Sequence, residues 1–169
     1  MNMLNFSRED RRPRRVADRA AHAAQPSEQD RADGAVTGHV QALLRLEGAA
    51  VLAGSVLAYR ALGGTWMEFA LLFLVPDLSM AGYLLGRRIG AATYNVGHTY
   101  LASAALALSG ALLTGAGYGA GGGAIVFYQL ALIWSAHIGF DRLLGYGLKY
   151  THAFSATHLG WRGRASSPR

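Results

Sequence analysis

The amino-acid sequence predicts an all-α integral membrane protein, a bundle of about four transmembrane helices preceded by a disordered tail. Hydrophobic residues make up 51% of the 169 positions and charged residues only 15%. Soluble domains carry roughly 25% charged residues. The apolar residues also fall into four blocks of about 20 residues, the length at which a helix crosses ~30 Å of hydrocarbon. Both observations are typical of a chain whose main partner is a lipid bilayer.

Residues 1–40 are the first predicted domain. They interleave seven arginines with six acidic residues and contain few large apolar side chains. Such a stretch cannot bury enough apolar surface to offset the entropy that ordering would cost. We therefore expect a disordered, charged, cytoplasmic tail. A basic arm that binds anionic lipids is the alternative, although the interleaved acids cancel much of that attraction.

Residues 41–150 are the second predicted domain and contain the four spans. The spans cover residues 43–62, 66–85, 91–113 and 124–144. Glycine-rich turns separate them, and because the connections are short, successive spans should be antiparallel neighbours. Pro76 lies inside the second span and removes one backbone hydrogen bond, so we expect that helix to kink beside Asp77.

Lysine and arginine residues are concentrated on one side of the predicted bundle. They occupy the amino-terminal tail, positions 87 and 88, and the residues after the last span, whereas the opposite side has only Arg60. The positive-inside rule predicts a multi-pass protein of the inner (plasma) membrane with both termini in the cytoplasm. Residues 151–169, the third predicted domain, would then be an interfacial or cytoplasmic tail. No nucleic-acid motif accompanies the basic residues, so we expect no nucleic-acid partner. A homo-oligomer or a membrane protein partner stays open.

Ionisable residues inside the predicted spans indicate a functional site, because such residues are costly in hydrocarbon and usually face the bundle interior. Asp77, His98 and His137 lie seven or eight residues from the predicted cytoplasmic ends of their spans. That spacing corresponds to roughly 11–12 Å at 1.5 Å per residue, so three helices bring these side chains to one depth. Asp141 lies one helical turn from His137 on the same face. These four residues are the predicted metal ligands.

A polar cavity that opens towards the cytoplasm is expected around this cluster. Its further predicted lining residues are polar or charged, and they are Glu47, Tyr94, Arg142, Lys149 and His158. For His158, in the tail after the last span, the prediction includes a role as a lid over the cavity mouth.

The cluster has the composition of a site for a divalent metal such as zinc, manganese or iron. Neutral imidazole donates a ring nitrogen, and carboxylates supply negative charge. Two other interpretations stay open: a hydrogen-bonded network that fixes helix packing, and a path for protons or small ions. No catalytic residue and no organic cofactor is predicted, and the residues do not decide whether the protein is an enzyme.

Six short motifs resemble those of the bacterial membrane family called domain of unknown function 4260. They are LLRLEG at 43–48, PDLSM at 76–80, YN and HTY within 94–100, HIGFDR at 137–142, GYGLKY at 145–150 and THLG at 157–160. Their order and spacing cover residues 43–160 and exclude the amino-terminal tail. The resemblance implies a small multi-pass membrane protein and implies no activity.

The pair Pro76 and Asp77, together with histidines in short spans, is also similar to bacterial inner-membrane hydrolases described as metal-dependent. The tandem histidine motifs of that group are missing here. The likeness implies a metal ion that activates water, with an aspartate or glutamate as base, against an amphiphilic substrate. Two classes of function therefore stay open, a binding or transport protein and a metal-dependent membrane hydrolase.

Overall fold

The computed structural model describes Val36 and residues 38–118, 122–151 and 156–161. Its elements are α1 (Gly38–Ala61), α2 (Trp66–Phe73), a 3₁₀ helix (Val75–Leu85), α3 (Arg87–Gly97), α4 (Tyr100–Gly115), α5 (Gly123–Leu144), β1 (Ala156–Thr157) and β2 (Gly160–Trp161). The predicted all-α class is confirmed, with one two-stranded hairpin added near the carboxyl end. The predicted disordered tail lies outside the described residues except for Val36 and the first residues of α1.

Three helical segments are long and apolar enough to cross a membrane: Gly38–Ala61, Trp66–Leu85 and Gly123–Leu144. A fourth span results if the bent pair Arg87–Gly97 and Tyr100–Gly115 is counted as one. Large apolar side chains cover the outside, and Leu84 is 88% exposed. Soluble monomers rarely expose such continuous apolar surface. Length, composition and surface therefore agree with the predicted membrane bundle.

Helices α1 and α5 pack closely because glycine lies on both sides of their contact. A Cβ atom on Gly139 would lie 2.7 Å from the carbonyl oxygen of Gly48, and one on Gly48 would lie 2.6 Å from Cβ of Arg142. Small residues let helix backbones approach within van der Waals distance in membranes. This contact fixes the position of the end of α5 that carries His137, Asp141 and Arg142.

The second span leaves α-helical geometry at the position where the sequence predicts a kink. Helix α2 ends at Phe73, Pro76 lies in the first turn of the next element, and the chain continues as a 3₁₀ helix of 11 residues. Runs of 3₁₀ helix longer than 3–4 residues are uncommon. The 3₁₀ helix packs against α3, where Thr93 Oγ1 donates a hydrogen bond of 2.9 Å to the carbonyl of Ser79. The expected kink is thus a change of helix type that places Asp77 beside α3.

The third span is not the continuous helix that the sequence predicts for residues 91–113. Helix α3 ends at Gly97, α4 begins at Tyr100, and their axes meet at 44°. The break frees backbone carbonyls, and α5 supplies their donors. Trp134 Nε1 donates to the Gly97 carbonyl at 2.7 Å, and Arg142 Nη2 donates to the His98 carbonyl at 3.2 Å. Irregular backbone at membrane depth is tolerated where protein groups satisfy it in this way.

The segment after α5 folds back onto the bundle. The Asn95 side chain donates to the Lys149 carbonyl at 2.9 Å and accepts from the Lys149 N–H at 2.7 Å. Further along, Val36 N–H donates to the His158 carbonyl at 2.9 Å, and Leu159 is 1% exposed. Residues 156–161 therefore pack between the start of α1 and the end of α5. The predicted boundary at residue 151, and the interfacial character of the tail, stay predictions.

Candidate functional site

Four side chains predicted as metal ligands meet inside the bundle. Asp77 comes from the first turn of the 3₁₀ helix, His98 from the break between α3 and α4, and His137 and Asp141 from successive turns of α5. The start of the 3₁₀ helix and the break between α3 and α4 thus each supply one residue of the cluster. The depth argument from the sequence matches this placement, although their role as ligands is still a prediction.

The polar atoms of the cluster face a common point. His98 Nε2 lies 3.2 Å from His137 Nε2, 3.4 Å from Asp77 Oδ1 and 3.6 Å from Asp141 Oδ2. His137 Nε2 lies 3.6 Å from Asp77 Oδ1 and 3.9 Å from Asp141 Oδ2. Most of these separations exceed the 2.7–3.2 Å of an N–H···O hydrogen bond. Asp77, His98 and His137 each offer one ligand atom within 4.8 Å of the other two, so this group could hold a metal ion.

One ring has its tautomer fixed by the backbone. His98 Nδ1 lies 2.9 Å from the Tyr94 carbonyl, an acceptor, so Nδ1 carries the proton and donates. In the neutral ring Nε2 then presents a lone pair towards the other three cluster residues. In metal sites, the ring nitrogen that does not bind the metal commonly donates such a hydrogen bond, which orients the histidine. For His137, Nδ1 is buried and has no hydrogen-bond partner among the described residues.

The cluster is buried on its histidine side and open on its carboxylate side. Both histidine side chains are 2% exposed, Asp141 is 18% exposed and Asp77 is 43% exposed. An aromatic ring, Phe73, packs edge-on against His137 with ring centroids 5.2 Å apart. An ion or small molecule would therefore reach the two imidazoles past Asp77.

Tyr94 and Lys149 border the cluster, and their predicted role as lining of a cytoplasmic cavity stays a prediction. The Tyr94 ring stacks on His98 at 3.8 Å between centroids, and its hydroxyl donates to Asp141 Oδ2 at 3.3 Å. Lys149 Nζ lies 4.5 Å from the centroid of the same tyrosine ring. Burial lowers the pKa of Lys149 below its usual value, and the negative charges of Asp141 and Asp77 oppose that shift.

The remaining predicted lining residues are not part of the cluster. Glu47, Arg142 and His158 line a neighbouring cavity of about 480 Å³ beside α1, and none of the four predicted ligands lines it. The prediction of one cavity lined by all of these residues stays a prediction. Arg142 lies at the boundary between the cavity beside α1 and the cluster because its guanidinium also donates to the His98 carbonyl.

Trp134 and Asn95 are contributors that the sequence reasoning missed. Trp134 holds the Gly97 carbonyl beside His98, and Asn95 holds the backbone of Lys149 beside Tyr94. Asn95 is a polar residue within the predicted apolar span 91–113, and this is the sequence feature that could have identified it. Nothing in the local sequence around Trp134 indicates its partner 37 residues away.

Comparison with known proteins gives a family and no activity. No curated protein and no solved structure matches the chain. A family model described as domain of unknown function (DUF4260) matches residues 41–161, which include every described residue of the cluster and of the neighbouring cavity. The resemblance found in the sequence motifs is thereby confirmed, and the chain belongs to the DUF4260 family.

Proposed function

We propose that this membrane protein binds a divalent transition-metal ion through Asp77, His98, His137 and Asp141. The observation that supports this most directly is the set of five distances between their Nε2 and Oδ atoms, 3.2–3.9 Å. Metal–ligand bonds of about 2.0–2.2 Å in a tetrahedral site hold neighbouring ligand atoms about 3.3–3.6 Å apart. Asp77, His98 and His137 have nearly these dimensions, and Asp141 lies at the long end of the distances, 3.9 Å from His137 Nε2.

Charge and protonation point in the same direction. The His98 Nε2 lone pair faces a second imidazole nitrogen at 3.2 Å and two carboxylate oxygens at 3.4 and 3.6 Å. Without a cation, a proton on His137 Nε2 is shared among His98 Nε2 and the two carboxylate oxygens, of which Asp141 Oδ2 also accepts from the Tyr94 hydroxyl. A metal ion neutralises both carboxylates and satisfies all four atoms at once. Two nitrogen and two oxygen ligands suit zinc, manganese or iron and disfavour metals that prefer thiolates.

A metal-dependent hydrolase is the second candidate, and the placement of Asp141 favours it. Its oxygen lies farther from the histidines than that of Asp77, and the Tyr94 hydroxyl holds it. Asp77, His98 and His137 alone give three ligands, the number that catalytic zinc sites use together with a water molecule. Asp141 would then be the base that takes a proton from that water, and an amphiphilic substrate would approach past Asp77.

For orientation in the bilayer, we propose the inner membrane with both termini in the cytoplasm, supported by the asymmetry of lysine and arginine. Reporter fusions placed after Ala61 and within residues 119–123 should give an external signal. Fusions after Arg88 and after Arg169 should give a cytoplasmic signal. A cytoplasmic signal from residues 119–123 would rule out this arrangement.

Metal analysis of the detergent-purified protein tests the binding site. After dialysis against zinc, manganese or iron(II), the wild type should hold one equivalent of one of these ions, measured by plasma mass spectrometry. His98→Ala and His137→Ala should each lower the metal content by at least about tenfold, because each removes a ligand. The matched control is His39→Ala, which removes an exposed histidine at the start of α1.

Two results would exclude a metal-binding function. One is a wild-type protein that is folded and monodisperse but holds no stoichiometric metal. The other is metal that stays bound in both cluster variants, which would place it elsewhere in the chain. For the hydrolase, Asp141→Asn should keep most of the metal and lose hydrolysis of a chromogenic amphiphilic ester, whereas loss of metal would make Asp141 a ligand.

A further inference from the structure

The cavity beside α1 has an apolar wall and one polar end. Leu44, Val51 and Leu159 form part of the wall, and Arg142 and His158 lie at the polar end. The volume of about 480 Å³ falls within the range of ligand-binding pockets, about 300–1,000 Å³. Its lining shares no residue with the proposed metal ligands, so it is a separate candidate site.

At the polar end two hydrogen-bond donors face each other. His158 Nδ1 accepts the backbone N–H of Leu148 at 2.9 Å, so the ring is neutral and its proton lies on Nε2. That Nε2–H group lies 3.5 Å from Nη1 of Arg142, which is also a donor and never an acceptor. Two donors cannot satisfy each other. Arg142 Nη1 donates to the Tyr146 carbonyl at 3.4 Å, whereas the Nε2–H group of His158 needs an acceptor beside it.

Among the described residues, the arginine forms no direct ion pair with a carboxylate. Its guanidinium donates to the carbonyls of His98 and Tyr146, at 3.2 and 3.4 Å. Arginine presents five donors in a planar fork that matches the oxygens of phosphate and carboxylate groups. A half-buried guanidinium that donates to neutral carbonyls is well suited to bind an anion.

We propose that Arg142 and His158 bind the oxyanion of an amphiphile, a phosphate or carboxylate group whose alkyl portion lies against Leu44 and Val51. The oxyanion supplies an acceptor for the His158 Nε2–H group and a charged acceptor for the guanidinium, whose acceptors at Tyr146 and His98 are neutral carbonyls. The proposal does not depend on a metal ion in the cluster. Asp141 and Arg142 are adjacent on α5 and so point about 100° apart, which separates the two sites on neighbouring faces of one helix.

Glu47 provides an internal check because its carboxylate lines the same cavity. A negative charge that lines the same cavity as the bound anion opposes its binding. Replacing Glu47 with glutamine should therefore tighten anion binding by about 2- to 5-fold, the size of a partly screened charge interaction. Weaker binding in Glu47→Gln would overturn the proposal.

Calorimetric titration of the full-length protein in dodecyl maltoside tests the site, with inorganic phosphate and dodecyl phosphate as probes. Dodecyl phosphate should bind saturably. Arg142→Gln should weaken it by about 10- to 100-fold, the loss expected for a hydrogen bond to a charged group. His158→Asn should weaken it by about 3- to 10-fold, because the amide oxygen still accepts from Leu148 but the Nε2–H donor is gone. His158→Gln should restore part of the affinity, since its longer amide can place an N–H near the lost donor.

The matched control is Arg45→Gln, which removes a positive charge whose guanidinium bonds the nearby Leu143 carbonyl but does not line the cavity. Its affinity for dodecyl phosphate should equal that of the wild type. Equal losses in Arg45→Gln and Arg142→Gln, or unchanged affinity in His158→Asn, would overturn the proposal. If Arg142→Gln does not fold, the two His158 variants and the Arg45 control decide the question.

The two probes distinguish the source of the oxyanion. If dodecyl phosphate binds at least tenfold more tightly than inorganic phosphate, the ligand is an amphiphile; equal affinities would overturn the alkyl portion of the proposal. Metal content measured on the same His158→Asn sample should equal that of the wild type, so loss of anion binding is distinguishable from loss of the metal site.

Discussion

Helices α1 and α5 are regular over their whole length, whereas the chain between Trp66 and Gly115 changes helix type once and breaks once. Each of these two halves supplies two of the four proposed ligands. The irregular half brings Asp77 and His98 to the cluster from its two interruptions. The regular half brings His137 and Asp141 from one continuous helical face.

This difference shows that the irregular half depends on the regular one. The carbonyls of Gly97 and His98, freed at the break, accept hydrogen bonds from Trp134 and Arg142 of α5. The α1–α5 contact has no such requirement, because both backbones satisfy their hydrogen bonds internally and touch through glycine. Damage to the regular half should therefore disturb the site more than damage elsewhere.

The largest effect is expected for Gly139→Leu. A side chain there meets the backbone of Gly48 and Leu52, so α1 and α5 must separate, at a cost of at least about 3 kcal/mol. We expect loss of folded, monodisperse protein in size-exclusion chromatography and thermal unfolding. Gly54→Leu is the control, since a side chain at Gly54 meets nothing within 4 Å. Equal behaviour of the two variants would show that the glycine contact is unimportant.

Trp134→Phe tests the dependence directly by removing the donor to the Gly97 carbonyl. A buried acceptor left without a donor costs about 1–3 kcal/mol. Thermal unfolding should show this loss, together with weaker metal binding because His98 follows the affected carbonyl. Trp66→Phe, at a tryptophan that is 58% exposed, should change neither quantity. A stable Trp134→Phe protein with full metal content would contradict the dependence.

A double-mutant cycle measures the coupling between the halves across the cluster. Asp77→Asn and His137→Gln should be non-additive by roughly 0.5–3 kcal/mol in thermal stability or metal affinity, the range for residues in contact. Glu68→Gln replaces Asp77→Asn in the control cycle, because the Glu68 carboxylate bonds Thr65 at the start of α2, at the other end of that helix from Asp77. Additive effects for Asp77 and His137 in folded proteins would mean that the two side chains are satisfied separately.

The smallest effect concerns the segment after α5. Burial, and after it the positive charge of Arg142, hold the pKa of His158 below its usual value of 6.5. The unfolded chain therefore binds a proton at a pH where the folded protein does not, and stability falls as the pH drops from 6.5 towards the lowered pKa. The stability difference between wild type and His158→Asn, measured by thermal unfolding from pH 8 to pH 5, should fall in that window. A difference that rises on acidification would contradict the sign.

Much of this arrangement follows from the sequence alone. Hydropathy and span length predict four helical passes, and helix rise places Asp77, His98 and His137 at one level because both quantities depend only on counting residues. The i, i+4 spacing of His137 and Asp141 predicts their common face for the same reason. Pro76 predicts where the second span leaves α-helical geometry, because proline lacks the backbone N–H that an α-helix uses at that position.

The interruption at His98 could not be predicted in this way. No proline marks it, and hydropathy does not show that Trp134 and Arg142, far along the chain, satisfy the exposed carbonyls. For the same reason, the sequence does not show that Glu47, Arg142 and His158 line a cavity beside α1 that none of the four predicted ligands lines. The position of Arg142 between the His/Asp cluster and this cavity depends on the angle at which α5 crosses α1. The contact of Gly48 with Gly139 determines that angle.

The 3₁₀ helix from Val75 to Leu85 has a consequence for how its side chains are arranged. With 3.0 residues per turn, positions three apart form straight rows parallel to the axis, without the slow rotation of an α-helix. One row, Leu78, Ala81 and Leu84, is exposed, and a second, Pro76, Ser79 and Gly82, lies against α3. The third row begins at Asp77 and runs through Met80 to Tyr83, whose ring lies 5.2 Å from Lys149 Nζ. The segment thus has three sides: one is exposed, one packs against α3, and the third carries Asp77 at one end and, two turns later, the tyrosine that lies beside Lys149.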